Sequence, residues 1–159
     1  MITFRDGKKM FNYRAVGIAL DGDRVLLHRA EKDDFWALPG GRGELMEVSS
    51  DTLKREMREE LGAEIRVERL VWIVENFFED NQIAFHELGL YFLISFPPDS
   101  PIYRKTEAFP GDEEGRKLIF QWFRLDELRK TRLFPTFLRK SLSAIPETTQ
   151  HVVHTDVNE

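Results

Sequence analysis

Stretches in which apolar side chains alternate with polar or very small ones recur along this chain, and they predict strands. Residues 12–29 read as two strands, with Arg14-Ala15-Val16-Gly17-Ile18-Ala19-Leu20 turning at Asp21-Gly22 into Val25-Leu26-Leu27. Ala15, Gly17 and Ala19 share one face of the first strand, and side chains that small leave room for a close helix or a ligand. Residues 65–78 and 84–96 are rich in Val, Ile, Phe, Tyr and Trp, with Asp80-Asn81 as the turn between them. Both faces of the 84–96 run are largely apolar, which suits an interior strand. Residues 118–125 give a final main strand, and the tail segment His151-Val152-Val153-His154 can add a short one.

The period changes between these runs. Leu53, Met57 and Leu61 repeat at helical spacing, Ser49 and Ser50 are N-cap candidates and Gly62 is a C-terminal stop, so a helix is expected over about 50–61. Upstream, Pro39-Gly40-Gly41-Arg42-Gly43 reads as a loop. Pro97 to Glu114, with four prolines, reads as a long surface loop. Asp126 can cap a short helix through Lys130, and Pro135 can open another that ends before Pro146.

Composition narrows the class. A chain of 159 residues, 42% hydrophobic, buries one substantial core and is too short for two ordinary domains, so 1–159 is read as a single domain with a flexible tail over 147–159. No cysteine is present, which excludes disulfides and thiolate zinc sites and suits a reducing cytosol. The opening MITFRDGKKMF lacks a signal-peptide core, and no later run approaches the ~18 apolar residues of a membrane span. The expectation is a cytoplasmic protein with no membrane partner. A net charge of −5 argues against nucleic-acid binding, which rests on clustered cations. A small anionic substrate remains compatible if divalent cations bridge it to carboxylates.

The 50–61 helix supplies such carboxylates. At about 100° per residue, Leu53, Met57 and Leu61 form a core face, Glu56, Glu59 and Glu60 an adjacent acid face, and Lys54, Arg55 and Arg58 a basic back. Glutamates so close repel one another, and Glu59 and Glu60 sit at the helix end that disfavours anions. A divalent cation reverses both penalties. Taken alone, the acid face reads more readily as solvated surface than as a metal site.

From Gly41 to Ala63 the sequence GRGELMEVSSDTLKREMREELGA resembles the Nudix box: Gly, five residues, Glu, seven residues, then Arg-Glu-apolar-any-Glu-Glu-any-Gly-apolar. Gly41, Glu47, Arg55, Glu56, Met57, Glu59, Glu60 and Gly62 match, and Ala63 departs only in size. Trp36-Ala37-Leu38-Pro39-Gly40 upstream and Trp122 to Leu128 downstream extend the likeness over most of the chain. The resemblance implies an α+β (α/β/α) sandwich, a mixed β-sheet between helices, and Mg²⁺-dependent hydrolysis of the diphosphate bond in a nucleoside diphosphate linked to another moiety. Mn²⁺ is the alternative cofactor. By position, Glu56, Glu59 and Glu60 would hold the metal with the Gly40 carbonyl, while Arg55 and Glu47 would pair and orient the acid face. Glu59 is preferred as general base; Glu107, Glu113 and Glu114 are alternatives on a later loop.

For a nucleotide, Trp36, Phe77, Phe78 and Tyr91 could stack on a base, with Trp36 preferred as a pocket wall. Arg14, Arg29 and Arg42 could meet phosphate, and Glu87 a base or ribose. Core packing is the competing role for each aromatic, and an arginine partner the competing role for Glu87. His86-Glu87 starts like a zinc-protease motif, but position 90 is Leu. His28, His86, His151 and His154 show no shared metal spacing. A non-catalytic nucleotide-binding regulator on the same fold is the alternative function, and pairing into a homodimer is left open.

Overall fold

Strand pairing in the computed structural model, which describes residues 1–112, 115 and 117–157, joins nine strands into one mixed sheet. They are β1 (Thr3–Asp6), β2 (Lys9–Asp21), β3 (Arg24–Ala30), β4 (Gly40–Arg42), β5 (Arg66–Asp80), β6 (Ile83–Ser95), β7 (Phe109–Pro110), β8 (Leu118–Arg124) and β9 (Gln150–Thr155). The order across the sheet is β7-β8-β3-β2-β6-β5-β9, with β1 and β4 also paired to β2. Helix α1 is Ser49–Leu61 and α2 is Leu138–Ser141, the latter preceded by a 3₁₀ turn at Leu125–Lys130. No helix of the described residues is long and apolar enough to cross a membrane.

β2 is the hub. It runs parallel to β6 from Lys9↔Ala84 to Ala19↔Ile94, meets β3 only at its end through Leu20↔Val25 and Asp21↔Arg24, and takes β4 along Arg14↔Arg42 to Val16↔Gly40. The two-residue period of the strand then divides the core. Ala15 and Ala19 belong to a buried cluster with Leu53, Met57, Phe92, Ile94 and Phe120, under α1. Val16 and Ile18 belong to another, with Leu27, Trp72, Val74, Tyr91, Leu128, Leu133 and Leu138, under the segment from Leu125 to Leu142. Helical elements therefore cover both faces of the sheet, the α+β arrangement expected. Of the two uses for the small face of β2, it is the close helix: a Cβ on Gly17 would lie 2.7 Å from Ile94 Cδ1 and 3.4 Å from Leu53 Cδ1.

Several local expectations need correction. The opening residues form a hairpin, β1 to β2, with Gly7 in the left-handed region. Gly40–Arg42 is a strand, because a Cβ on Gly40 would overlap the Ala15 carbonyl and only glycine lets the two backbones approach for pairing. Neither Ser49 nor Ser50 caps α1: the N-cap is Val48, without a side-chain bond. The Gly62 stop is as expected, left-handed, with its N–H bonded to Arg58 O. Asp126 lies in the first turn of its 3₁₀ segment, paired to Arg124 instead of capping. Within 97–114, Pro101–Arg104 forms a 3₁₀ turn and Phe109–Pro110 pairs with β8. The short tail strand forms as expected: β9 pairs in parallel with β5, from Trp72↔Gln150 to Phe77↔Thr155.

Leu53 is fully buried where α1 meets β2. Replacing it with Ala should lower unfolding stability by about 2–5 kcal/mol in chemical denaturation, the usual cost of a cavity between close-packed elements; a loss below about 1 kcal/mol would mean that α1 does not hold the sheet as described.

Candidate active site

The acid face of α1 is organised by one cation. Arg55 Nε donates to Glu47 Oε2 at 2.9 Å, Nη1 to Glu56 Oε1 at 2.8 Å and to Glu59 Oε2 at 3.4 Å, and Nη2 to the Arg42 carbonyl at 3.1 Å. The helical wheel puts the Arg55 backbone on the basic back, yet the side chain is long enough to fold onto the acids. Glu47 accepts further from Thr52 Oγ1 at 2.6 Å and Glu44 N at 3.2 Å. The Arg55 hydrogen bond outweighs partial burial, and with the Thr52 and Glu44 donors it holds the Glu47 carboxyl down from 4.5 to about 2.

The three helix glutamates sit in different surroundings. Glu56 lies against Gly41, where any Cβ would overlap its carboxyl. Glu59 is exposed, its side chain retaining 48% of its accessible surface. Glu60 is fully buried, with Oε2 at 3.7 Å from His28 Nδ1. Among the described residues no three His, Asp or Glu side chains converge as a ready-made metal cluster. The donor types nevertheless fit a hard divalent cation: these are carboxylate oxygens, and the bare Gly41 leaves the space on its side to Glu56.

A cleft of about 310 Å³ opens on the opposite face of the sheet from α1. Val16 and Tyr91 contribute from the sheet, Ala37 and Leu38 from the approach to the glycine pair, and Phe35, Phe78 and Phe134 supply aromatic surface. Polar groups lie deep in it. Among the described residues, Arg14 Nε and Asn76 Oδ1 are buried without a hydrogen-bond partner, and Glu87, 8% exposed, is the register neighbour of Asn76. Burial, and then the charge of Glu87, push the Tyr91 phenol well above its ordinary range. Among the described residues, four carboxylates line the cleft, from Glu79, Asp80, Glu87 and Asp156, against the two cations Arg14 and Arg132.

Thus Arg14, Glu87, Phe78 and Tyr91 meet in the cleft, and Arg55, Glu56 and Glu59 of α1 meet Glu47 from the segment before it. Trp36 does not line the cleft: it packs on Phe123 at 4.7 Å under the Arg29 guanidinium, while its neighbours Phe35 and Ala37 do line it. Arg29 is occupied by the carbonyls of Ala30, Glu31 and Asp33. Arg42 contacts Met1 Sδ outside the cleft. Phe77 stacks on His86 at 4.5 Å, also outside it. Glu107 is exposed, and Glu113 and Glu114 lie outside the described residues. Sequence reasoning missed Asn76, Arg132, Phe134 and Asp156. Only Asn76 carried a signal, as an uncharged polar residue inside an apolar strand run.

Comparison with known proteins adds a family. The model of the NUDIX domain matches residues 11–144. An 8-oxo-dGTP diphosphatase from Buchnera aphidicola subsp. Schizaphis graminum is 27% identical over 118 residues, covering 72% of this chain and 78% of its own. Among solved structures, an ADP-ribose pyrophosphatase from Streptococcus suis superposes with a TM-score of 0.56 at 18% identity, covering 90% of this chain and 98% of its own. A NUDIX hydrolase from Nitrosomonas europaea gives 0.60 at 16% identity, with 91% and 79% covered. At these identities the two superpositions show the fold.

The depressed Glu47 carboxyl has a consequence for stability. A carboxylate whose folded value lies below its unfolded one contributes stability that is fully present above pH ~4.5 and is lost as pH falls toward ~2. Glu47→Gln should therefore melt below the wild type at pH 6, with the gap closing between about pH 4.5 and 2; a gap independent of pH would show that the Arg55 pair does not set the Glu47 charge.

Proposed function

The chain belongs to the NUDIX domain family, and from that premise we propose that it hydrolyses the diphosphate link of a nucleoside diphosphate derivative with Mg²⁺, Mn²⁺ being the alternative. The observation that carries this is the Arg55-centred carboxylate group beside the Gly40-Gly41 pair, with a separate aromatic cleft whose lining includes Ala37 and Leu38 just before that pair. The whole chain, 1–159, acts as one domain, and the lack of cysteine suits residence in the cytoplasm.

Glu56, Glu59 and Glu60, with the Gly40 carbonyl, would hold the metal, which supplies Lewis acidity to the phosphate oxygens and lowers the pKa of water. The protein's own groups do the rest. Arg55 pins Glu47 and Glu56, so the acid face keeps its shape when a charged substrate arrives. Glu59, the exposed member, takes the proton of the attacking water as that oxygen bonds to phosphorus and the bridging oxygen departs with its electron pair. Glu113 and Glu114 are the other carboxylates proposed for that step.

The base enters the cleft. Among the described lining residues carboxylates outnumber cations, which disfavours a phosphate and favours an uncharged ring with N–H donors for Asn76 Oδ1 and Glu87, while Phe35, Phe78 and Phe134 supply apolar surface. The phosphates would then extend past Leu38 toward the glycine pair and α1. The 8-oxo-dGTP diphosphatase relative supports a purine nucleotide in this role.

Mass spectrometry of products from a mixed panel of nucleoside diphosphate derivatives, with Mg²⁺ and with excess chelator, checks this directly. One substrate should disappear only with metal, and Glu59→Gln should lower kcat by roughly 10²–10⁴ with KM little changed. Turnover that survives chelation, or a Glu59→Gln variant as fast as wild type, would overturn the assignment.

A further inference from the structure

The NUDIX match ends at residue 144, yet the cleft is completed by Asp156 and Val157 beyond it. We propose that β9 and the two residues after it form a specificity element for the nucleobase, with Asp156 as the positioning residue that fixes one wall of the cleft. This rests on the reading of that cleft as the nucleoside site.

Register puts the element in place. β9 pairs with β5 so that His154 lies beside Asn76, whose buried Oδ1 has no hydrogen-bond partner among the described residues, and Asp156 N–H then donates to the Phe77 carbonyl at 2.9 Å. The chain is thereby delivered to the cleft at the level of the deep polar groups. The Asp156 carboxylate reaches across to the facing segment. It accepts from Thr136 N at 3.1 Å, from the Thr136 hydroxyl, and from His154 Nε2 at 2.9 Å, while His154 Nε2 also lies 3.1 Å from Thr136 Oγ1. Burial raises the Asp156 carboxyl, but the hydrogen bonds from Thr136 and His154 prevail and keep it below its ordinary value.

Thr136 follows Phe134 and Pro135, which line the cleft opposite the sheet. Outside the clamp, that segment is held by the backbone bonds Trp36 N to Arg132 O and Phe134 N to Trp36 O and by the buried Leu133 and Leu138. The clamp therefore adds an attachment at Thr136, next to the residues that face a bound ring. A wall held in place before binding avoids the ordering cost at the moment of binding, and that gain depends on how well the ring fills the space. A strand that merely covered the edge of β5 would not discriminate among rings.

Calorimetric titration of GMP, AMP, CMP and UMP into the full chain separates these roles. Asp156→Ala should raise Kd by about tenfold for the base that wild type binds best and by less for the others, so the spread among the four narrows. Thr136→Val should show the same pattern more weakly, and Thr136→Ser, which keeps the hydroxyl, should behave as wild type. Because Asp156→Ala removes three hydrogen bonds and could lose the fold, the Val and Ser variants at 136 carry the test if it does. Equal weakening for all four bases, or no change in either variant, would overturn the specificity role while leaving the nucleoside site standing. A wild-type chain that binds none of the four would overturn the nucleoside site itself, and the proposal with it.

Discussion

The guanidinium of Arg55 is the interaction on which the acidic site depends. Glu56, Glu59 and Glu60 crowd the C-terminal half of α1, where like charges at helical spacing and the end of the helix dipole both disfavour them. Arg55 donates to two of the three and to Glu47, which lies before the helix. Its rigid fork also reaches the Arg42 carbonyl, so one side chain fastens α1 to β4 as well as to its own acids. A lysine would supply the charge without that geometry. The glycine pair complements it: Gly40 lets β4 approach Ala15 of β2, and Gly41 leaves the Glu56 carboxyl its place.

A second constraint lies in the period of β2. Because successive residues alternate faces, Ala15, Gly17 and Ala19 can be small for α1 while Val16 and Ile18 are large for the opposite core. Arg14, on the Val16 side, enters the cleft. One central strand therefore supports the helix that bears the glutamates and also lines the cleft behind them. The buried Glu60 follows from the closeness of α1 to the sheet, and His28 on β3 lies 3.7 Å from it.

How much of this the sequence revealed varies with the distance over which each feature is determined. The long strands, α1, the turn at Gly22 and the Gly62 stop were legible, because period and local backbone preference specify them. The resemblance to the family rested on fixed spacing within 23 residues, and the α+β class was what that resemblance implied. The cap at Val48, the pairing of Gly40–Arg42 and the 3₁₀ turn in the proline-rich segment were not legible, since tertiary contacts decide them. Trp36 shows the limit for recognition residues. Its position just before the glycine pair suggested a pocket wall, but the isolated bridge to Leu133 turns it into the core and leaves Phe35 to line the cleft. Asp156 stands 79 residues from Phe77, whose carbonyl accepts its N–H, and no local pattern in the tail pointed across that gap.

The separation of the two faces has a consequence for how substrate choice can vary. The acid face is built by α1 and the loop before it, whereas the cleft is built by Asn76 of β5, Glu87 and Tyr91 of β6, the segment 132–135 and the residues after β9. Few side chains belong to both, and the link between them is the short run from Leu38 to Gly41. A change at Asn76 or Phe134 can therefore alter what the cleft accepts without moving Arg55 or the glutamates it holds. With the cleft taking the nucleoside as proposed, that independence explains why 23 residues suffice to identify the family while the substrate must be read from side chains scattered between Arg14 and Val157.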